Sequence, residues 1–204
     1  MNTQKKPRQR RSVRTREAIL DAARQIIMAE GVEALSMRTL AEAADYSPAA
    51  LYRYFSSKEE IVEAIRQEGF ALSNDLMERW FSAEGLSPLE RLAGAGRAYL
   101  DFAATHPQHY RLMFDTSGIH PDTVAGVAGD PEFAGLIGFV QAAVDSGELR
   151  LVGGYTPATL AFHIWITVHG IAMLRLSVFR GQQSGLDTLV DQIFQSFMSF
   201  FQSG

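Results

Sequence analysis

The stretch SPAALYRYFSSKEEI, Ser47 to Ile61, decides the fold. Serine followed by proline reads as an N-cap and the first residue of a helix. Leu51 and Phe55 are one helical turn apart and share one face, the inward one. Tyr52 and Tyr54 lie off that face. The helix should reach Tyr54 or Phe55, and Ser57-Lys58-Glu59-Glu60 opens the next helix with a capping box. Upstream, Ser36 caps a short helix whose Leu40, Ala41 and Ala44 face inward, and Asp45-Tyr46 makes the corner. Short helices joined this way form a helix-turn-helix. In that motif the second helix enters the DNA major groove and the first crosses the backbone.

The chemistry of the segment suits that geometry. A helix that enters a groove needs a slim leading end, and Ser47, Pro48, Ala49 and Ala50 supply small residues there. The same end offers free N–H groups and the positive pole of the helix dipole, which suit a phosphate or a base acceptor. A tyrosine hydroxyl donates to phosphate and its ring packs on sugar, so Tyr52 and Tyr54 are expected to face a nucleic-acid backbone. Lys58, opening the next helix, and Arg38 and Thr39, early in the helix before the corner, fit the same role. Taken alone, the tyrosines would suit packing at a helix junction equally well.

Charge tips the balance. The net charge is −4, yet residues 1–66 hold 12 Lys and Arg against 9 Asp and Glu. Lys5, Lys6, Arg8, Arg10, Arg11, Arg14 and Arg16 all precede the first acid, Glu17. A basic end on an otherwise acidic chain predicts a polyanion partner at that end.

The bulk composition excludes several classes. The 204 residues are 47% hydrophobic, enough for a proper core, and contain no cysteine. Disulfides, thiolate nucleophiles and cysteine-ligated metals are therefore excluded, which fits a reducing cytoplasm. No unbroken run of about 18 apolar residues occurs, so no membrane span and no membrane partner are expected. The basic N-terminus lacks a following apolar stretch and is not expected to be a secretory signal. No nucleophile–base pair, carboxylate pair or phosphate loop stands out, so the chain is not expected to be an enzyme.

Residues 1–13 are expected to be a disordered basic arm. Residues 14–66 form the helix-turn-helix domain. Its first helix runs from about Arg14 to Glu30, with Ala18, Ile19, Ala22, Ile26 and Ile27 at helical spacing and Gly31 as C-cap. Residues 67–204 are helical again. Ser87-Pro88-Leu89-Glu90 is a capping box for a helix that stops near His106, before Pro107. A short helix from Gln108 to Phe114, a loop from Thr116 to Gly129 and a helix from Asp130 to about Ser146 follow. Leu149-Arg150-Leu151-Val152 is a candidate strand. Thr156-Pro157 opens a long helix to about Phe179, and Leu186 to about Phe201 is the last helix. The fold class is all-α: an N-terminal three-helix helix-turn-helix domain followed by a C-terminal helical bundle.

The bundle carries more aromatic residues than a small core needs. Phe102, Tyr110, Met113, Phe114, Phe139, Trp165, His169 and Met173 are candidates to line an effector pocket, with His169 as its polar anchor, although each singly also fits plain core. His106 and His109 can share a face, but no third ligand accompanies them, so neither a metal nor a cofactor is expected. The last helix has apolar residues on more than one face, a surplus that marks an interface. Pairing the last two long helices with those of a second subunit, through Phe162, Leu189, Ile193 and Phe197, makes a symmetric four-helix contact. A dimer also sets two recognition helices about 34 Å apart, the spacing of successive major grooves.

The motifs Ile19-Leu20-Asp21-Ala22-Ala23, Gly31-Val32, Ser36-Met37-Arg38-Thr39-Leu40-Ala41, Leu51-Tyr52-Arg53-Tyr54-Phe55 and Lys58-Glu59-Glu60 occur in this order. Over roughly the first 65 residues the chain resembles the DNA-binding domain of the tetracycline-repressor (TetR) family. The resemblance implies that Arg38, Thr39, Ser47, Ala49, Tyr52, Tyr54 and Lys58 touch DNA. Where that family usually has a small residue and glycine at the corner, this chain has Ala44-Asp45-Tyr46; aspartate tolerates the left-handed conformation, so an intact turn is expected. Downstream, His106 to Phe114 and Trp165-Ile166-Thr167-Val168-His169-Gly170 are similar to the C-terminal class named for Trp, His and Gly. The implied function is a homodimeric, ligand-responsive transcriptional regulator. It would act as a repressor on a palindromic double-stranded operator and be released by a small apolar or amphipathic effector. The alternatives are an all-α enzyme or metal sensor, a DNA-coating protein without sequence preference, and an activator.

Overall fold

A computed structural model describes residues 7–114, 131–181 and 183–201. The expected Thr116–Gly129 loop and Lys5 and Lys6 lie outside the described residues, as do the side chains of Arg8, Leu186, Phe197 and Met198. The elements in chain order are α1 (Pro7–Glu30), a 3-10 turn (Val32–Ala34), α2 (Met37–Ala43), α3 (Pro48–Leu51), α4 (Lys58–Phe81), α5 (Pro88–Thr105), α6 (Pro107–Met113), α7 (Pro131–Asp145), α8 (Pro157–Leu176) and α9 (Gln183–Phe201). The all-α reading holds, and no strand occurs among the described residues.

Differences from the sequence reading are local. Helix α1 begins at Pro7 rather than Arg14, so residues 7–13 are helical and not an irregular arm. Proline is preorganised for a first helical position, and the Arg and Gln that follow are good helix formers. Leu149–Val152 is not a strand. The Leu149 N–H donates to Ala143 O at 2.9 Å and the Arg150 N–H to Phe201 O at 2.7 Å, so this loop tacks the end of α9 to the bundle. Helix α8 is long and apolar enough to cross a membrane, with a mean hydropathy of 1.4 over its best window. The expectation concerned an unbroken apolar run, and none occurs here: His163, Thr167 and His169 interrupt it, while the average over the helix stays high. One side of α8 is buried through Leu160, Ala161, Val168, Ile171 and Ala172.

The described residues form two compact units. The first comprises the residues through Ala71 together with Gln108–Phe114, and the second comprises Leu72–Pro107 and the described residues that follow Phe114. The sequence reading had drawn the boundary after residue 66 and had left α6 with the second part.

In the first unit, Ile19, Ala23 and Ile27 of α1, Leu40 and Ala41 of α2, Leu51 of α3, Phe55, Ile61 and Ile65 of α4 and Leu112 of α6 make one core. Arg24 ties α1 to α4. Its Nη2 donates to Glu68 Oε2 at 2.8 Å and to Glu17 Oε1 at 2.7 Å, while Nη1 bonds Asp21. Burial alone would lower the pKa of this guanidinium, but the bonds to Glu17 and Glu68 outweigh it and raise the value. In the second unit, Leu92, Phe133, Val140, Ala143, Leu149, Leu160, Ala161 and Phe201 form the core of the bundle. The Ser87–Glu90 capping box forms as expected, and Thr156 with Thr159 makes another at the start of α8.

The corner between α2 and α3 is as the sequence predicts. Asp45 adopts φ 57°, in the left-handed region, and the Tyr46 N–H closes the turn on Ala41 O at 2.9 Å. Asp45→Ala should lower the unfolding free energy by about 1 kcal/mol, and Asp45→Gly should match or exceed the parent. Urea denaturation of the three proteins checks this ordering.

Candidate nucleic-acid interface

Helix α3 is a single turn, too short to be stable alone. Packing and capping hold it. Leu51 and Phe55 are buried to within 1% of completely, which contributes roughly 1.5–3 kcal/mol each. The Ser47 Oγ accepts the Ala50 N–H at 3.2 Å, and the chain keeps turning through Tyr54 N–H to Leu51 O at 2.8 Å.

With those two side chains inward, the neighbours are sorted. Tyr52 is 56% exposed, and Ser47, Ala49 and Arg53 are also exposed. Tyr54 departs from the expectation: it is half-buried and packs against the first core. Its position is about 60° around the helix from Leu51, at the edge of the inward face, whereas Tyr52 lies about 100° away on the other side.

The start of α4 is held by a clasp. Glu60 Oε2 accepts the Ser56 N–H at 2.6 Å and the Ser56 hydroxyl at 2.7 Å, while the Glu60 N–H donates to Ser57 Oγ at 3.3 Å. The capping box expected at Ser57 is thus shared with Ser56. These bonds, the backbone one first, lower the Glu60 pKa. The clasp sets Lys58, partly exposed, at the first position of α4.

On α2, Arg38 is exposed and its Nε meets Glu42 Oε1 at 3.2 Å, a surface pair worth little and readily exchanged for a phosphate. The Thr39 hydroxyl is committed to the helix cap: it accepts the Ser36 N–H at 2.9 Å and reaches Ala34 O and Ser36 O at 3.1 Å. The sequence reading missed Arg16, whose guanidinium carbon lies 4.8 Å from the centre of the Phe55 ring. It sat within the basic run, and no spacing rule singled it out.

The residues expected to line an effector pocket are divided. Tyr110, Met113 and Phe114 belong to the first unit. There the Phe114 ring lies 5.0 Å from Tyr110 and 6.4 Å from Phe70. Phe102, Phe139, Trp165, His169 and Met173 belong to the second. Phe102 is fully buried, and Phe139 stacks on Phe81 at 3.8 Å. Met173 is exposed, which does not fit a pocket wall; it stands two helical turns beyond exposed Ile166, on the same side of α8. Trp165 lies beside His169 and against Phe133 and Phe162, with ring centres 5.3–6.3 Å apart. The Tyr99 hydroxyl and His169 Nδ1 are 3.1 Å apart, a pairing across 70 residues that no local pattern revealed. A shallow, part-open apolar crevice between α5, α8 and α9 is lined by Leu92, Gly96, Ile164, Val168 and Phe194 among others. His106 and His109 fall in different units, and His109 Nε2 lies 3.7 Å from Glu68 Oε1. Among the described residues, no group of three or more His, Cys, Asp and Glu could hold a metal.

A set of apolar side chains remains outward. Ile166, Met173 and Leu174 on α8 and Leu189, Ile193 and Phe200 on α9 are exposed. Phe162 is half-buried against the bundle core.

Residues 92–200, over half of the chain, match the family model of the tetracyclin repressor-like C-terminal domain. Residues 19–65 match that of the bacterial regulatory proteins of the tetR family. The chain therefore belongs to the TetR family of DNA-binding transcriptional regulators. It is 33% identical over 97 residues to the HTH-type transcriptional regulator TcmR of Streptomyces glaucescens, covering 46% of this chain and 40% of that one. It is 26% identical over 150 residues to the HTH-type transcriptional regulator Rv1816 of Mycobacterium tuberculosis, covering 70% of this chain and 63% of that one. The chain thus spans less than two thirds of either relative. A solved structure from Rhodococcus sp. RHA1 is similar over 93% of this chain and 96% of that one, with a TM-score of 0.74 and 25% identity.

Burial pushes the His169 pKa below its ordinary value. The unfolded chain then takes up this proton more readily than the folded one, so stability is fully present above about pH 6.5 and falls as pH drops below it. His169→Asn should flatten the decline of the melting temperature between about pH 6.5 and 5, measured by thermal unfolding across that range.

Proposed function

We propose that this protein is a homodimeric transcriptional repressor that reads an inverted-repeat operator in the cytoplasm and releases it when a small apolar or amphipathic molecule binds its second unit. The observation that supports the DNA-reading face is the opposition of Phe55 and Tyr52: one ring sealed in the core, the other standing in solvent, three residues apart in the turn that follows α3. Arg38, Ser47, Ala49, Tyr52 and Lys58 make up that face, Tyr54 supports its edge, and Thr39 contributes through its position rather than its committed hydroxyl.

Dimerisation is supported by the outward apolar residues of α8 and α9. Leu189 and Ile193 are one turn apart, and Ile166 and Met173 two turns apart, so on each helix exposed apolar residues share one side. Phe162, Leu189, Ile193 and Phe197 belong to the contact, and Met173 moves to it from the pocket. For the effector, the Tyr99–His169 pair beside Trp165 and Phe133 supports a site with one polar anchor on an aromatic wall. An effector releases DNA only if it binds the DNA-free arrangement more tightly.

Footprinting the DNA upstream of the protein's own coding region should reveal a protected inverted repeat, and transcription from it should rise when the protein is removed. Protection without sequence preference, or lower transcription on removal, overturns the proposal. On that duplex, Tyr52→Phe should weaken binding about tenfold through loss of one hydrogen bond to a charged oxygen. Lys58→Ala should weaken all duplexes alike and reduce the slope of log K against log[salt] by about 1. Replacing Leu189 and Ile193 together by Asp should shift the protein from dimer to monomer in sedimentation velocity.

A further inference from the structure

We propose that Arg53 reads a guanine in each half of the operator, through paired hydrogen bonds to the O6 and N7 edge in the major groove. The proposal deepens the function proposed above and rests on the reading of α3 as the recognition helix. Arg53 lies outside the set of residues expected to touch DNA.

Burial fixes which way this segment turns. Leu51 and Phe55 point into the core, and the backbone keeps coiling past Leu51: the Arg53 N–H donates to Ala50 O at 3.3 Å and the Phe55 N–H to Leu51 O at 3.0 Å. At about 100° per residue, Ala49 and Arg53 lie opposite the buried pair, within about 40° of each other. Both are exposed. They form the crest that goes deepest into a groove when the buried side backs onto the protein. Tyr52 stands about 100° away toward one flank, where a duplex presents sugar and phosphate. Chemistry then selects the base. Ala49 ends in a methyl group, so Arg53 alone brings polar atoms to that crest. A guanidinium carries donors and no acceptor. Two of its donors match the O6 and N7 acceptors of guanine, whereas adenine N6 and cytosine N4 are themselves donors. The side chain is also available. Arg24, Arg38 and Arg66 each pair with a carboxylate, while no ion pair holds Arg53 among the described residues.

The test uses the full chain to enrich bound duplexes from a pool with about 20 randomised base pairs, enough for two half-sites one helical turn apart. The parent should enrich an inverted repeat with a fixed G·C pair in each half. R53A should enrich the same repeat with that pair degenerate. R53Q should replace the guanine by adenine, the base that glutamine holds with two hydrogen bonds. On the parent's selected duplex, 7-deazaguanine at that position removes the N7 acceptor. It should weaken parent binding about tenfold and leave R53A binding unchanged. The modified base acts on the parent protein, so it decides the matter even where a variant fails to fold. If R53A weakens every duplex alike and lowers the salt slope by about 1 with the selected motif unchanged, Arg53 holds a phosphate and the proposal is overturned. If 7-deazaguanine has no effect while Tyr52→Phe still weakens binding, the guanine contact is wrong and the reading of α3 stands. If the parent enriches no motif, both fall.

Discussion

The inward burial of Leu51 and Phe55 is the constraint on which the exposed surface of the helix-turn-helix depends. A one-turn helix has almost no stability of its own, so its rotation about its axis is set by whatever it buries. Once those two side chains fill the core left by α1, α2 and α4, Tyr52 must stand in water and Tyr54 must lie along the core's edge. The caps are secondary to this. The Ser47 cap and the Ser56–Glu60 clasp tidy the helix ends, and they act on a segment whose orientation packing has already chosen.

Electrostatics then divides the labour within the first unit. Its acids are used structurally. Glu17, Asp21 and Glu68 converge on Arg24 to fasten α1 against α4, and Glu60 closes the loop before α4. The second unit solves a different problem. Its core is covered by one side of α8, and that helix is more apolar than one buried side requires. Hydropathy that would suit a membrane span is here split between a packed side and an outward stripe, the composition expected of a helix that meets another helix on each side.

Much of the fold was legible from residue pattern. Serine or threonine before proline located the starts of α3, α5 and α8, and the turn at Asp45 followed from the steric tolerance of aspartate. Those signals are local, since a cap and its N–H partners are neighbours in sequence. The errors came where a residue's partner is distant. Met173 was assigned to a pocket because methionine suits one, but only the packing of α8 shows which side it takes. Leu149 to Val152 has strand composition but forms no strand among the described residues; its backbone bonds Ala143 and the end of α9 instead. Tyr110, Met113 and Phe114 pack with the first unit and Trp165 with the second, an assignment that residue type alone does not give.

The sequence alone was enough for the helices, the corner, the inward pair Leu51 and Phe55 and the charged end, because helical period, capping and charge are properties of neighbouring residues. It also carried the motifs that mark the TetR family. Tertiary structure decided that Tyr54 leans on the core, that Tyr99 meets His169, that Arg16 covers Phe55, and which apolar residues of α8 and α9 stay in water. Those outcomes depend on which elements pack against which, and packing brings together side chains that the chain order keeps far apart.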